Sequence, residues 1–446
     1  MKYKPPGLYF FTKNQMIGLS LEGGGARGSY QAGAAKAFKE KGIEFQGVTG
    51  TSIGSINGAM IAQGAIDELY SIWDNISLEK VFNVTQKEFQ ELSSFDLDLE
   101  NLAIKLRKAG DVIKDGGIDI SMAQKILDES VDEEEIRRRG VDLGIVTFSL
   151  TEMKPVEIFI QDIPKGELKN YLLASSALPH LKIDKFHGIR YLDGGVYNSL
   201  PTDLLIDKGY KEIWEIRLNS FGRKKTLDLK GKDIKINFVE PKEDLSSYLD
   251  FSNETAKKQL QLGYFDTMKK LDDLNGNFFY IKKENDEKYF LSLLRGVPEE
   301  ILDEFILALD LDIKPSLRSL LEQIIPRLAE LLDLDKNASY EEIVVSFLEV
   351  LAMDLEIERF KIYTFEDFFN AILKKSKNND MQVEKVNKVI ELFLKNEILA
   401  KVSKEKSIRH LGRIVIREMR ELYEKNSRLG KDFIQRRIPG SAGKRN

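Results

Sequence analysis

Two glycine-punctuated turns, each set between a short apolar stretch and a helix-like one, constrain this chain more than any other feature. Residues 16–22 (MIGLSLE) read as a buried strand. Gly23-Gly24-Gly25-Ala26-Arg27-Gly28 follows, and then a helix whose stop signal is Gly42. A second strand, FQGVTG, runs into Gly50-Thr51-Ser52-Ile53-Gly54 and a helix of small residues, INGAMIAQGA. Strand, loop and helix repeated in this order predict parallel strands joined by helical crossovers. Residues 66–140 read as mostly helical. Further strands are predicted at 141–150, 155–160, in GIRYLD before Gly194, and at 211–218. Residues 233–241 read as an edge strand, because Pro241 closes it. A helix is predicted over 253–271.

Beyond about residue 285 the pattern changes. Apolar residues recur at helical spacing in 315–334, 341–357 and 383–395, with no strand pattern of comparable strength. The expected organisation is an N-terminal extension (1–15), an α/β domain with a central, mostly parallel sheet flanked by helices (16–285), and an all-helical C-terminal region with a basic tail (286–446). A chain of 446 residues asks for more than one core, and 42% hydrophobic residues exclude a disordered polymer.

Composition removes several chemistries. With no cysteine there are no disulfides, thiolate nucleophiles or cysteine-built zinc sites. The three histidines, His180, His187 and His410, show no metal-ligand spacing, so neither a metal nor a cofactor is expected. A net charge of −5 gives no global reason to bind nucleic acid. No apolar run approaches the roughly 18 residues of a bilayer span, so contact with lipid is expected only at the surface. The cysteine-free composition fits a reducing, cytoplasmic location.

Gly50-Thr51-Ser52-Ile53-Gly54 is a G-x-S-x-G sequence at a strand-to-helix turn. A serine there projects its hydroxyl clear of the sheet, while Gly50 and Gly54 let the chain turn without a side-chain clash. The following helix aims its N-terminal amides near the same place. The plain alternative is a turn serine or helix cap. Gly23-x-Gly25-x-x-Gly28 matches the dinucleotide fingerprint by spacing, yet the acidic residue expected at the end of the second strand is missing: Val48-Thr49-Gly50 runs straight into the serine turn, and Glu44 precedes the strand. Two glycine motifs on adjacent strand ends favour an anion cradle of main-chain donors.

The serine needs a base. Asp193, in Leu192-Asp193-Gly194-Gly195 after a short strand, is the leading candidate. Asp115-Gly116-Gly117 has the same three letters but lies between charged helical stretches and reads as a turn. An α/β-hydrolase triad in the order Ser, Asp, His would need His410, which lies in a charged helix of the C-terminal region, and His180 and His187 precede Asp193. A Ser/Asp dyad is the simpler account.

In order and spacing, GLSLEGGGARGSYQAG, GTSIGSINGA, ASSALP and YLDGGVYNSLP resemble the patatin-like phospholipases over about residues 16–270. The resemblance implies an α/β sheet flanked by helices and metal-independent phospholipase A-type hydrolysis of acyl esters, with a phospholipid or other acyl lipid as substrate. It makes Ser52 the nucleophile and Asp193 its base in the DGG turn with Gly194 and Gly195. It places Gly23, Gly24, Gly25, Ala26, Arg27 and Gly28 in an oxyanion loop and ASSALP (174–179) in support of the site. Arg27 has two readings, a phosphate-positioning cation and a structural ion pair.

Residues 381–446 hold 17 basic and 8 acidic residues, a net +9 against −14 for the remainder. Within 404–425, Ile408, Leu411, Val415, Met419 and Leu422 form an apolar stripe beside several arginines. Such a helix either lies on an anionic membrane as a peripheral contact or packs its stripe on the helical region.

Overall fold

The computed structural model describes residues 16–82, 119–178, 181, 185–297, 299–309 and 311–376. The N-terminal extension, the Asp115 turn, His180 and the basic tail with His410 lie outside the described residues. The chain divides into two compact units, at Asp272/Asp273.

In the first unit, β1 (Ile17–Leu21) and β2 (Gly47–Thr51) pair in parallel and are buried along their whole length, as central strands of a helix-covered sheet are. β3 (Asp142–Ser149) runs parallel to β2, and β4 (Lys154–Phe159) returns antiparallel to it. β5 (Tyr191–Asp193) is antiparallel to β3. β6 (Glu212–Ile216) and β7 (Lys235–Val239) extend the parallel part on the other side of β1, giving the order β4-β3-β2-β1-β6-β7. The strand closed by Pro241 is therefore at an edge, as its sequence predicts.

The helices of this unit are α1 (Gly28–Glu40), α2 (Ile53–Ala62), α3 (Ile66–Asp74), α4 (Leu78–Val81), α5 (Ser121–Ser130), α6 (Glu133–Arg139), α7 (Leu168–Ser175), α8 (Thr202–Asp207) and α9 (Asn253–Leu271). Alternation along the strands assigns the faces. On one face, Phe38 of α1 meets Trp214 of β6 edge-on, with ring centroids 5.1 Å apart, and Gly58 of α2 sits over Val48 and Leu21. On the other, Leu205 of α8 fills the space above Gly18 and Gly47. On that face, the Thr49 hydroxyl donates to Pro201 O (2.9 Å) and the Thr51 hydroxyl to Asn198 O (2.7 Å), tying 198–201 to β2.

One detail of register positions the site. β4 occupies one edge of β3 over Gly144–Ser149. The other edge pairs with β2 as far as Thr51↔Val146 and then with β5 from Asp193↔Thr147. Asp193 thus takes the place that β2 vacates just after Thr51.

The second unit is helical, with a phenylalanine-rich core that includes Phe279, Phe290, Phe347, Phe365 and Phe368. Its helices span Glu287–Arg295, Glu299–Ala308, Leu317–Leu331, Tyr340–Asp354 and Phe365–Ser376. The third contains a wide π turn over Leu320–Ile324, ending two residues before Pro326, whose missing N–H disfavours a regular α ladder there. The Tyr340 helix starts with a reciprocal capping box between Ser339 and Glu342. One short parallel ladder, Tyr280–Ile281 with Ile362–Tyr363, accompanies the helices; two residues are too few to announce a strand in sequence.

Candidate active site

Ser52 lies between the end of β2 and the start of α2 with φ 55° and ψ −130°, a conformation that costs a non-glycine residue about 1–3 kcal/mol. The neighbouring glycines make the turn possible. A Cβ on Gly50 would lie 2.2 Å from Gly54 O, and one on Gly54 would lie 2.5 Å from Leu21 O, well inside contact distance. The Ser52 amide donates to the Ser175 hydroxyl (2.9 Å), which itself donates to Val146 O (2.6 Å). The ASSALP segment thus fixes the turn backbone through one buried hydroxyl.

Asp193 ends β5 and is 7% exposed. Its Oδ1 accepts the Gly195 amide (2.8 Å), and the Ser52 hydroxyl, in the wall of the same cavity, lies near enough to favour its charged form. Burial pushes its pKa up from 3.8 to about 6, against the opposing pull of these two groups. Gly194 packs so closely on β3 that a Cβ would meet Val146 O at 2.2 Å. The two residues paired by sequence reasoning line the same cavity. Among the described histidines, His187 is 65% exposed and faces Glu167 at 3.5 Å, away from this pair's hydrogen bonds.

The glycine loop is more selective than its letters. The Gly23 amide donates to Ser199 O (2.9 Å), Ala26 to Tyr248 O (2.7 Å), Arg27 to Gly24 O (3.2 Å) and Gly28 to Gly25 O. Among the described residues no acceptor is found for the amides of Gly24 and Gly25. Gly25 has φ +57°, and a Cβ there would lie 2.2 Å from Tyr248 O, so the loop can pass under residue 248 only as glycine.

Of the two readings of Arg27, the side-chain contacts support the structural one. Its Nε donates to Ser246 O (2.9 Å), its Nη1 to Asn219 O (3.1 Å) and Leu218 O (3.3 Å), and its Nη2 lies 3.6 Å from Asp244. The guanidinium pins two distant loops to the glycine loop. A buried carboxylate that the sequence does not single out does similar work: Glu22 accepts the Leu218 amide (2.6 Å) and the Ser220 hydroxyl (2.6 Å) and pairs with Lys224 (2.9 Å). No local signal marks it, because all these partners lie about two hundred residues away.

Two cavities share Ser52. One of about 170 Å³ is almost wholly apolar, with Ile56, Met60, Trp73, Leu127, Leu173 and Phe251 in its wall. The other, about 120 Å³, is bounded by the glycine loop, Asp193, Ser199 and Ser220. A hydroxyl, a basic carboxylate, unused main-chain donors and an apolar cavity thus meet at one point.

A patatin-like phospholipase family model matches residues 19–206. A probable lipid hydrolase, 463L, of Invertebrate iridescent virus 6 is 28% identical over 207 residues, covering 46% of this chain and 68% of that protein. The neuropathy target esterase sws of Drosophila melanogaster is 30% identical over 218 residues, again covering 46% of this chain but 13% of its own length. The chain therefore spans only a small part of that large esterase. Among solved structures, VipD from Legionella pneumophila aligns over 89% of this chain and 91% of its own, at 13% identity and a TM-score of 0.33. Over residues 19–206, the chain is thus similar to the patatin-like phospholipases, as its motifs predict.

Proposed function

We propose that residues 16–272 form a serine-dependent hydrolase of carboxylic esters in acyl lipids, phospholipids among them. The observation that carries this reading is the strained Ser52 sharing one cavity with the buried Asp193 and the glycine loop, at the point where the apolar cavity opens. The similar viral and fly proteins, a probable lipid hydrolase and an esterase, support the same reaction class.

In this reading the acyl chain of the substrate occupies the apolar cavity, with its ester carbonyl beside Ser52. Asp193 takes the Ser52 proton as Oγ attacks the carbonyl carbon. The negative oxygen of the tetrahedral intermediate is held by the Gly24 and Gly25 amides, the two loop donors without another acceptor. Asp193 then returns the proton to the departing alcohol, leaving an acyl-serine. Water attacks that ester with Asp193 again as base, and the fatty acid leaves. A carboxylate pKa of about 6 makes Asp193 a stronger base than an ordinary aspartate while keeping it ionised at neutral pH. Arg27 acts indirectly, by holding the loops around the cradle.

A fluorophosphonate probe should label the wild-type chain and spare Ser52→Ala, and a panel of defined lipids should release fatty acid only with the wild type. Absence of both labelling and fatty-acid release in the folded wild-type protein would overturn the proposal.

A further inference from the structure

Phe221 forms part of the wall of the cavity that holds Asp193 and Ser52, yet it is 77% exposed. The backbone on either side of it is anchored. Ser220 donates its amide (3.2 Å) and hydroxyl (2.6 Å) to Glu22, the Arg223 amide donates to Gly195 O (2.9 Å), and Arg223 O accepts the Ser199 amide (2.6 Å). A phenyl ring is thus held out in water by a fixed loop, beside the opening of the proposed catalytic site.

The charge next to it is cationic. Arg223 is exposed and, among the described residues, makes no ion pair. Lys224 is engaged by Glu22, and Lys225 by Glu157 and Asp203. Asp244, the exposed acid that meets Arg27, is the opposing charge on the loop that Arg27 ties down. A second large apolar side chain, Met153, is 72% exposed in the β3–β4 turn. Because β3 runs parallel to β2, that turn stands at the same end of the sheet as Ser52.

We infer that Phe221 and Arg223 seat the α/β unit on an anionic lipid bilayer, with the cavity mouth turned toward the lipid. The ring enters the boundary between headgroups and acyl chains, and the guanidinium pairs with lipid phosphate. An acyl chain then passes from bilayer to cavity without crossing water. The choice of partner rests on the lipid-hydrolase reading, but its binding test needs no turnover, so the two can fail separately.

The test uses the full chain carrying Ser52→Ala and measures cosedimentation with phosphatidylcholine vesicles, with and without phosphatidylglycerol. Binding should strengthen with phosphatidylglycerol and weaken with salt. Phe221→Ser should weaken it about tenfold or more on either vesicle. Arg223→Glu should weaken it about tenfold on the anionic vesicle and little on the neutral one. A basic tail that also binds lipid contributes independently and leaves these ratios intact. With Ser52 restored, Arg223→Glu should keep turnover of a soluble short-chain ester and lose turnover on anionic vesicles. Unchanged vesicle binding by both variants would overturn the inference, as would equal loss of turnover on soluble and vesicle substrates.

Discussion

Asp193 in the α/β unit and Glu349 in the helical unit are both buried carboxylates, 7% and 1% exposed, and their surroundings differ. Glu349 accepts three consecutive main-chain amides, those of Asn277, Phe278 and Phe279, at 2.7 to 2.8 Å. Such a nest compensates a buried negative charge and folds a turn around it. Asp193 receives one amide and the nearby Ser52 hydroxyl, too little to offset its burial, and its pKa rises to about 6. The first arrangement holds a charge still. The second leaves a carboxylate able to take a proton. It also adjoins a strained backbone, with φ 55° at Ser52, so strain and incomplete solvation coincide in one place.

The sharpest way to break this contrast is to remove the hydroxyl on which Asp193 is proposed to act. Ser52→Ala is expected to lower kcat/KM for fatty-acid release by about 10⁴-fold or more. A residual rate near wild type would move the chemistry elsewhere. Next in size is Glu349→Ala, which leaves three amides without their acceptor and should destabilise the helical unit by about 3 kcal/mol or more, read from thermal or denaturant unfolding.

Asp193→Asn should do the opposite to stability while abolishing turnover. The folded pKa of about 6 lies above the reference value of 3.8, so between these pH values the folded state binds more protons than the unfolded one. Stability contributed by this group therefore falls as pH rises through that window. Replacing it with a neutral amide should stabilise the fold by up to about 3 kcal/mol at pH 7, with the advantage shrinking toward pH 4. Melting curves of both forms across that range check the sign. The same protonation should make wild-type kcat/KM fall about tenfold per pH unit below about 6. The smallest expected effect is that of Ser175→Ala, which removes the acceptor of the Ser52 amide: about a tenfold loss of turnover, with fluorophosphonate labelling retained.

Much of this architecture is legible from local pattern. The helix predicted over 253–271 is Asn253–Leu271, and the edge strand ahead of Pro241 is Lys235–Val239. Both follow from side-chain periodicity and proline punctuation, which act over a few residues. The serine turn is legible for a similar reason: close packing of Gly50 and Gly54 against nearby backbone demands glycine on both sides of Ser52. The loop from Gly23 to Gly28 was less transparent, because glycine announces a close approach without saying what approaches. Here it is the carbonyl of Tyr248, which occupies the Ala26 amide and leaves those of Gly24 and Gly25 without an acceptor.

The order of strands and helices, and the two turns where chemistry was to be sought, were thus determined by the sequence itself, since each depends on neighbours along the chain. Only the tertiary structure decided that β5 continues the edge β2 leaves, that Arg27 spends its donors on residues 218, 219 and 246, and that Asp193 is buried deeply enough to raise its pKa to about 6. These outcomes depend on segments far apart in sequence meeting where water is excluded, and hydrogen bonding and desolvation are set by such meetings.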